Sequence, residues 1–280
     1  MIGKRKRQMA AIPEGSFSPL DYAVSQRSKG TMEIVKDAIQ HNQTLLAFQP
    51  VIRSDSQTTA GFYEGLIRVL DPTGRVIPAR EFMDKIEDTE IGREIDVLAL
   101  RHGLTKLRQI PTLRLAINMS ARSIGYKPWM NCLNRFLKDA PELGERLILE
   151  ITESSAMMVP ELVVDFMNRL QPKGICFAMD DFGSGKITIK YFKDFDFDIL
   201  KIDGQFIRGM AHDPDQQCIV RALTAMAREL GMLTVAESVE TAEDAALATE
   251  IGIDCLQGYY FAAPTTQPDW LRPEYSRKQG

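Results

Sequence analysis

The chain has 280 residues, 44% hydrophobic and 26% charged, enough apolar content for a sizeable core and too much for a disordered chain. A net charge of -4 argues against a nucleic-acid polymer as partner. No apolar run approaches the ~20 residues that span a bilayer. The four cysteines, Cys132, Cys176, Cys218 and Cys255, form no CxxC pair. They read as buried free thiols in a reducing cytoplasm rather than as a zinc site.

Residues 1–30 are basic at Lys4 to Arg7 and then rich in Ser, Pro and Gly. No apolar segment follows the basic cluster, so it does not make a secretory signal. The stretch reads as a flexible tail, with a docking arm for a regulatory protein as the alternative. A single domain is expected over 31–275, opened by a short helix over 31–40.

From Leu45 the pattern changes. LLAFQPVI and TAGFYEGLIRV read as two strands split by a polar turn, and DPTG at 71–74 is a second turn. Residues 79–107 carry helical periodicity through Phe82, Ile86, Ile95 and Leu98. LRLAINMS is a strand that exits on Asn118 and Ser120, followed by a helix near 129–138. RLILEITES is a strand ending on Glu150 and Glu153, and 160–170 suits a helix with Pro160 in its first turn. Next comes CFAMDDFGSG, an apolar run that ends on Asp180 and Asp181. DILKID follows, with Lys201 between Leu200 and Ile202. A helix over 213–230, the strand MLTVAESVET, a helix over 242–251 and the short strand DCLQGYYFAAP complete the chain.

Strand and helix alternate seven or eight times after residue 45, which implies a mainly parallel sheet. The number of units suits a closed (β/α)8 barrel, with a doubly wound open sheet as the fallback. The first two strands are joined too closely for a helical crossover. They are expected to pair antiparallel.

Glu64, Asn118, Glu150, Asp180 with Asp181, Lys201, Glu237 and Gln257 each lie on or just past a different strand. In a barrel the strand C-termini share one face, where active sites are built. Any one of these acids alone reads equally well as a helix cap or a solvated loop residue. Together they gather at least five carboxylates, which cannot all ionise in apolar surroundings without cations. Oxygen ligands with an Asn amide suit Mg2+ or Mn2+, and a central aspartate suits a two-metal phosphoryl site. Lys201 is the residue a buried strand has least reason to carry. A barrel lyase with a lysine base and one Mg2+ is a further reading of the same residues.

The segments FQPV (48–51), EGLIR (64–68), INMS (117–120), EITE (150–153), DDFGSG (180–185), KID (201–203), AESVET (236–241) and QGYYFAAP (257–264) together resemble the EAL-domain phosphodiesterases of bacterial cyclic di-GMP signalling. The resemblance covers about residues 33–272. It implies a modified (β/α)8 barrel, an α/β fold with one antiparallel strand. It also implies hydrolysis of cyclic di-GMP to linear pGpG by water activated on two Mg2+ or Mn2+ ions. By that similarity Glu64, Asn118, Glu150 and Asp180 hold the first metal. Asp180 bridges to a second ion held by Asp181 and Glu237. Glu237 is the general base, and Lys201 lies beside the water and phosphate. Gln49, Arg68 and Gln257 contact substrate, while Glu153, Glu240 and Asp203 support loops. A homodimer is implied as well. The alternative is a weak or inactive EAL-type receptor or interaction module for the same dinucleotide.

The chain departs from the family pattern in three places. Gly65 stands where Ala is usual, adding flexibility to a strand. Ser238 stands where Gly is usual, although Gly would accept φ > 0 more readily. Lys186 to Ile189 replace the aromatic and small hydroxyl residues of a regulatory loop.

Overall fold

The computed structural model describes residues 19–184 and 194–271. Nine strands form one sheet: β1 (Thr44–Arg53), β2 (Ala60–Leu70), β3 (Val76–Pro78), β4 (Leu115–Asn118), β5 (Leu147–Thr152), β6 (Cys176–Phe182), β7 (Ile199–Ile202), β8 (Leu233–Ala236) and β9 (Cys255–Leu256). Their order is β1-β9-β8-β7-β6-β5-β4-β2-β3, and pairing of β1 with β2 closes eight of them into a barrel. β1 runs antiparallel to both neighbours, whereas β2, β4, β5, β6, β7, β8 and β9 are mutually parallel. The modified barrel with one antiparallel member is therefore the fold, and the open sheet is excluded. β3 is an extra strand hung on β2. It was not legible in the sequence, because three residues ending in proline carry no alternation. The DPTG turn that leads into it is built as expected. Asp71 Oδ1 accepts from the amides of Thr73 and Arg75, and Gly74 takes φ +81°.

The main outer helices are α1 (Pro19–Gln40), α2 (Glu90–Gln109), α3 (Lys127–Asp139), α4 (Pro160–Leu170), α5 (Pro214–Glu229) and α6 (Ala242–Ile251). The helix expected over 31–40 is the C-terminal part of α1, which starts at Pro19. The long helical pattern over 79–107 is broken between a short turn at Met83–Ile86 and α2. Asp213 caps α5 by accepting from the amides of Asp215 and Gln216, an N-cap interaction worth about 1 kcal/mol. Among the described residues no helix is long and apolar enough to cross a membrane. Full burial of the cysteines holds only for Cys255. Cys132 and Cys176 are half-buried, and Cys218 is exposed on α5.

Strand parity divides the core. Residues pointing outward, such as Leu115, Ile117, Leu147, Leu149, Phe177 and Leu200, pack beneath the helices. Trp129 and Phe166 meet there at 5.6 Å, and Phe166 meets Phe177 edge-on at 5.9 Å. Residues pointing inward form a separate plug: Val51, Phe62, Ala116, Ile148, Ala178, Ile199, Val235 and Cys255, one from each barrel strand. Burial on both faces is why the parallel strands read as continuous apolar runs.

Gly65 lies opposite Phe48 on β1 and Ile117 on β4. A Cβ added there would lie 2.8 Å from Ile117 Cδ1 and 3.3 Å from the Ala116 carbonyl oxygen. Gly103 of α2 faces the same side chain, its added Cβ falling 2.7 Å from Ile117 Cδ1. Ile117 thus fills the space that both glycines leave, and Gly65 is a packed position rather than a loose one. Gly65→Ala is expected to destabilise the fold by about 1–2 kcal/mol through overpacking. Ile117→Val, which lacks Cδ1, should recover part of that loss. A double-mutant cycle by urea denaturation reads the coupling, and additive effects would overturn this account.

Candidate active site

Two steps along each barrel strand from the apolar plug stands a polar residue. Phe62 leads to Glu64, Ala116 to Asn118, Ile148 to Glu150 and Ala178 to Asp180. Ile199 leads to Lys201, Val235 to Glu237 and Cys255 to Gln257. On the antiparallel β1 the step runs backwards, from Val51 to Gln49. The period of two therefore makes these eight residues the next inward layer, at the C-terminal end of the parallel strands.

Lys201 is 1% exposed and occupies the centre of that layer. Its Nζ lies 2.7 Å from Asp180 Oδ1, 2.9 Å from Glu237 Oε1, 3.3 Å from Glu150 Oε1 and 3.5 Å from Glu64 Oε2. Asn118 Nδ2 donates to Glu64 Oε1 at 2.7 Å, and Gln257 Nε2 donates to Glu64 Oε2 at 2.6 Å. Gln257 also donates to Gln49 Oε1 at 3.2 Å, while Gln49 donates to the Ala262 carbonyl. Arg68 points onward from Glu64 but donates to the neighbouring Ile67 carbonyl at 2.9 Å. It does not line the cavity over the carboxylates.

Asp181 has the wrong parity for this layer. A bulge supplies the correction: β6 spends one extra residue between Met179 and Phe182 against β7, and Asp181 takes φ +53°. Such bulges re-aim a side chain. As a result, carboxylate oxygens of Asp180, Asp181 and Glu237 come within 4.8 Å of one another. Ser238 also takes a left-handed φ, +55°, so the backbone at this family departure has the conformation that Gly would accept more readily.

The protonation pattern follows from crowding. Burial would discharge Lys201, but Asp180, Glu150, Glu237 and Glu64 outweigh it and hold the ammonium well above its ordinary range. Burial also acts on Glu64, where attraction to Lys201 and the Gln257 and Asn118 hydrogen bonds win and lower its pKa. Glu150 is pushed well up by burial and then by Glu64, and Glu237 by burial and then by Asp180. Asp181 rises to about 6, chiefly through burial and then through Asp180. One ammonium therefore does not neutralise five carboxylates.

The donor set fits divalent metal ions. Both carboxylate oxygens of Glu150 are buried without a hydrogen-bond partner. Asp180 Oδ1 is buried too, and its contact with Lys201 is close in distance but lacks hydrogen-bond geometry. Five carboxylates against one lysine leave an excess of four negative charges when all are ionised, the charge that two divalent cations carry. Hard oxygen donors suit Mg2+ or Mn2+.

The supporting residues are placed as follows. Glu153 is buried, and its Oε2 accepts from the Gly183 amide at 2.9 Å. Asp203 caps the turn at Gly204–Ile207 by accepting from the Gln205 amide. Glu240 is exposed and pairs with Arg208 at 3.6 Å. The altered stretch Lys186–Ile189 lies outside the described residues. Sequence reasoning missed Asp96, buried on α2, whose Oδ2 accepts from the Ser120 amide at 3.0 Å and from Ser123 Oγ at 2.6 Å. It fastens the loop just past Asn118. A carboxylate between Ile95 and Val97 on a core-facing helix was the available signal.

Two cavities of about 600 Å3 open at opposite ends of the barrel. Volume does not choose between them. The one beneath the plug is lined by Phe62, Ile148, Ile199 and Val235. The other carries Glu64, Asp180, Asp181, Glu237 and Gln257, so the convergent donors mark it as the candidate active site.

Two stability predictions follow from these charges. Lys201→Met, measured in chelator, should lose about 3–5 kcal/mol at pH 8 because the carboxylates are left unpaired. Without the ammonium the carboxylates are harder to ionise, Glu150 and Glu237 being already raised by burial, so protonation relieves the deficit towards pH 5. Equal deficits in urea denaturation at the two pH values would contradict this. Burial raises Asp96 to about 7. Its folded pKa then exceeds the unfolded value, and stability is lost as pH rises through 7. Asp96→Asn should flatten that part of the pH–stability curve, and an unchanged slope would remove Asp96 as its source.

Comparison with known proteins gives the family. The EAL domain family matches residues 32–264. The signaling protein YkoW of Bacillus subtilis is 31% identical over 87% of this chain and 31% of its own length. The cyclic di-GMP phosphodiesterase PdeB of Shewanella oneidensis is 29% identical over 82% of this chain and 27% of its own. The chain therefore spans about a third of the length of these curated relatives. Among solved structures, that of the PaMucR phosphodiesterase in a c-di-GMP complex superposes with a TM-score of 0.74 at 29% identity, covering 84% of this chain and 97% of that one. The match across most of the chain shows that it belongs to the EAL domain family.

Proposed function

We propose that this chain is a metal-dependent phosphodiesterase that hydrolyses cyclic di-GMP to linear pGpG. The observation that carries the reading is the ring of four carboxylates around the Lys201 ammonium, with Asp181 beside it at the mouth of the barrel. The relative named as a cyclic di-GMP phosphodiesterase and the structural neighbour complexed with c-di-GMP support it.

The residues divide the work. Glu64, Asn118, Glu150 and Asp180 would hold one metal ion, and Asp180, Asp181 and Glu237 a second, Asp180 bridging. The ions, when bound, supply an activated water and neutralise charge at the phosphate. Glu237 takes a proton from the attacking water as its oxygen bonds to phosphorus and the bond to the ribose 3′ oxygen breaks. A positioned carboxylate is a competent general base, and Glu237 stands beside Asp180 and Asp181, their oxygens within 4.8 Å of one another. Lys201 lies beneath Asp180 and Glu237, and its fixed positive charge favours the negative charge that develops above them. Gln257 orients Glu64 from the side, and Gln49 holds Gln257.

Turnover of cyclic di-GMP with Mg2+ or Mn2+ and chromatography of the product tests the reading. Glu237→Gln should lower kcat by about 10²–10⁴-fold, and Glu64→Ala should abolish metal-dependent turnover. Wild-type protein that binds the dinucleotide with metal present but yields no pGpG would overturn hydrolysis and leave a receptor.

A further inference from the structure

Bound metal ions would balance the inner carboxylates, but the anionic ligand that the proposed reaction requires must also be held at the rim. Besides Glu64, Asp180, Asp181 and Glu237, the cavity wall carries Glu240. Lys201 is too deep to meet a ligand. The cations on the wall, among the described residues, are Arg80 and Arg208.

Their placement in the barrel is informative. Arg80 follows the β2–β3 hairpin, and Arg208 follows β7. In the ring of strands, β2 and β7 are separated by β4, β5 and β6 on one side and by β8, β9 and β1 on the other. The two arginines therefore come from strands on opposite sides of the ring, and both line the mouth. A hydroxyl group holds each. Arg80 Nη1 donates to the Tyr259 hydroxyl at 3.4 Å, and Arg208 Nη2 donates to Ser238 Oγ at 3.1 Å. Arg80 pairs with no carboxylate among the described residues, so its charge is available.

The Ser238 contact is built with care for space. Ser238 takes the left-handed conformation directly after Glu237. A Cβ added at Gly204 would lie 2.4 Å from Ser238 Oγ and 3.0 Å from Arg208 Nη2. Only glycine at 204 leaves room for that serine and that guanidinium together. The hydroxyl at 238 thus has a local use that glycine could not fill.

We propose that Arg80 and Arg208 bind the phosphodiester oxygens of the ligand across the mouth, and that Tyr259 and Ser238 are the residues that position them. This rests on the cyclic dinucleotide reading, and it matches a ligand with two phosphodiester groups on opposite sides of one ring. Guanidinium groups suit phosphate oxygens by charge and by their forked donors. The bland role of Arg208, pairing with exposed Glu240, uses one edge of the guanidinium and leaves the contact with Ser238 unexplained.

The test measures KM and kcat for cyclic di-GMP, together with the equilibrium Kd in Ca2+ by calorimetry, for wild type, Arg80→Ala, Arg208→Ala and Ser238→Gly. Each arginine variant should raise KM and Kd about tenfold, with the loss falling on KM rather than kcat. Ser238→Gly relieves a left-handed backbone, so its thermal midpoint should hold or rise while KM rises severalfold. A merely structural serine would leave KM alone. Unchanged KM and Kd in both arginine variants, with wild type turning over, would overturn the proposal and spare the enzyme reading. Wild type that binds without product would sink hydrolysis, and the Kd values of the variants would still decide the proposal. Wild type that neither binds nor hydrolyses would sink both.

Discussion

The Lys201 ammonium, enclosed by Asp180, Glu237, Glu150 and Glu64 at 2.7–3.5 Å, is the interaction on which the rest of the site depends. A buried ion pair seldom stabilises a protein beyond what apolar packing would. Its value here is geometric. The four acids come from β2, β5, β6 and the exit of β8, and the lysine from β7, so one charge ties five strand ends to a common centre. Glu64 shows how the tie is completed: Asn118 and Gln257 take its two oxygens from either side, bringing in β4 and the exit of β9. The apolar plug beneath and the charged layer above are successive turns of the same period-two pattern. The barrel that closes the core therefore also assembles the acids.

Parity alone would leave the second cluster incomplete. Asp181 follows Asp180 directly and would face the helices in a regular strand. The bulge in β6 and the left-handed φ of Asp181 turn it inward. A left-handed non-glycine residue costs on the order of 1–3 kcal/mol and persists where surrounding structure enforces it, and aspartate tolerates it better than most. The enforcement is visible in the two residues that follow. Phe182 pairs with Ile202, and Gly183 is held by Glu153 through its amide and by Gln205 through its carbonyl. Strain at Asp181 is thus spread over contacts that have no direct part in binding.

The sequence made much of this legible because the informative residues obey simple rules. A lysine between Leu200 and Ile202 cannot face solvent from a buried strand, and a polar residue at each strand exit declares a shared mouth in a barrel. Antiparallel pairing of β1 and β2 followed from the short link between them. The unreadable parts have physical reasons. β3 is too short for periodicity. The break before α2 depends on Thr89, whose hydroxyl donates to the Ile86 carbonyl, and on the close approach of that carbonyl to Gly92. Arg80 and Arg208 belong to no strand exit, and only the closed barrel brings both to one mouth. Asp96 gave only a weak signal, a carboxylate between Ile95 and Val97, among the many acids and bases of the outer face of α2.

The described departures from the family pattern have one logic. Gly65 removes a methyl group that Ile117 fills, and the same isoleucine also occupies the space beside Gly103. Ser238 adds a hydroxymethyl group that Gly204 makes room for, and Arg208 uses it. In each case the change at a site position is answered by one neighbour across a strand pair, within van der Waals or hydrogen-bond reach. Compensation at that range leaves the carboxylates where the strand parity puts them, and the pairing of β2 with β4 and of β7 with β8 runs without a break. The ligand set and its surroundings can therefore vary separately. The inner layer is held by a charge that several strands share, and the rim is free to acquire its own means of meeting an anion.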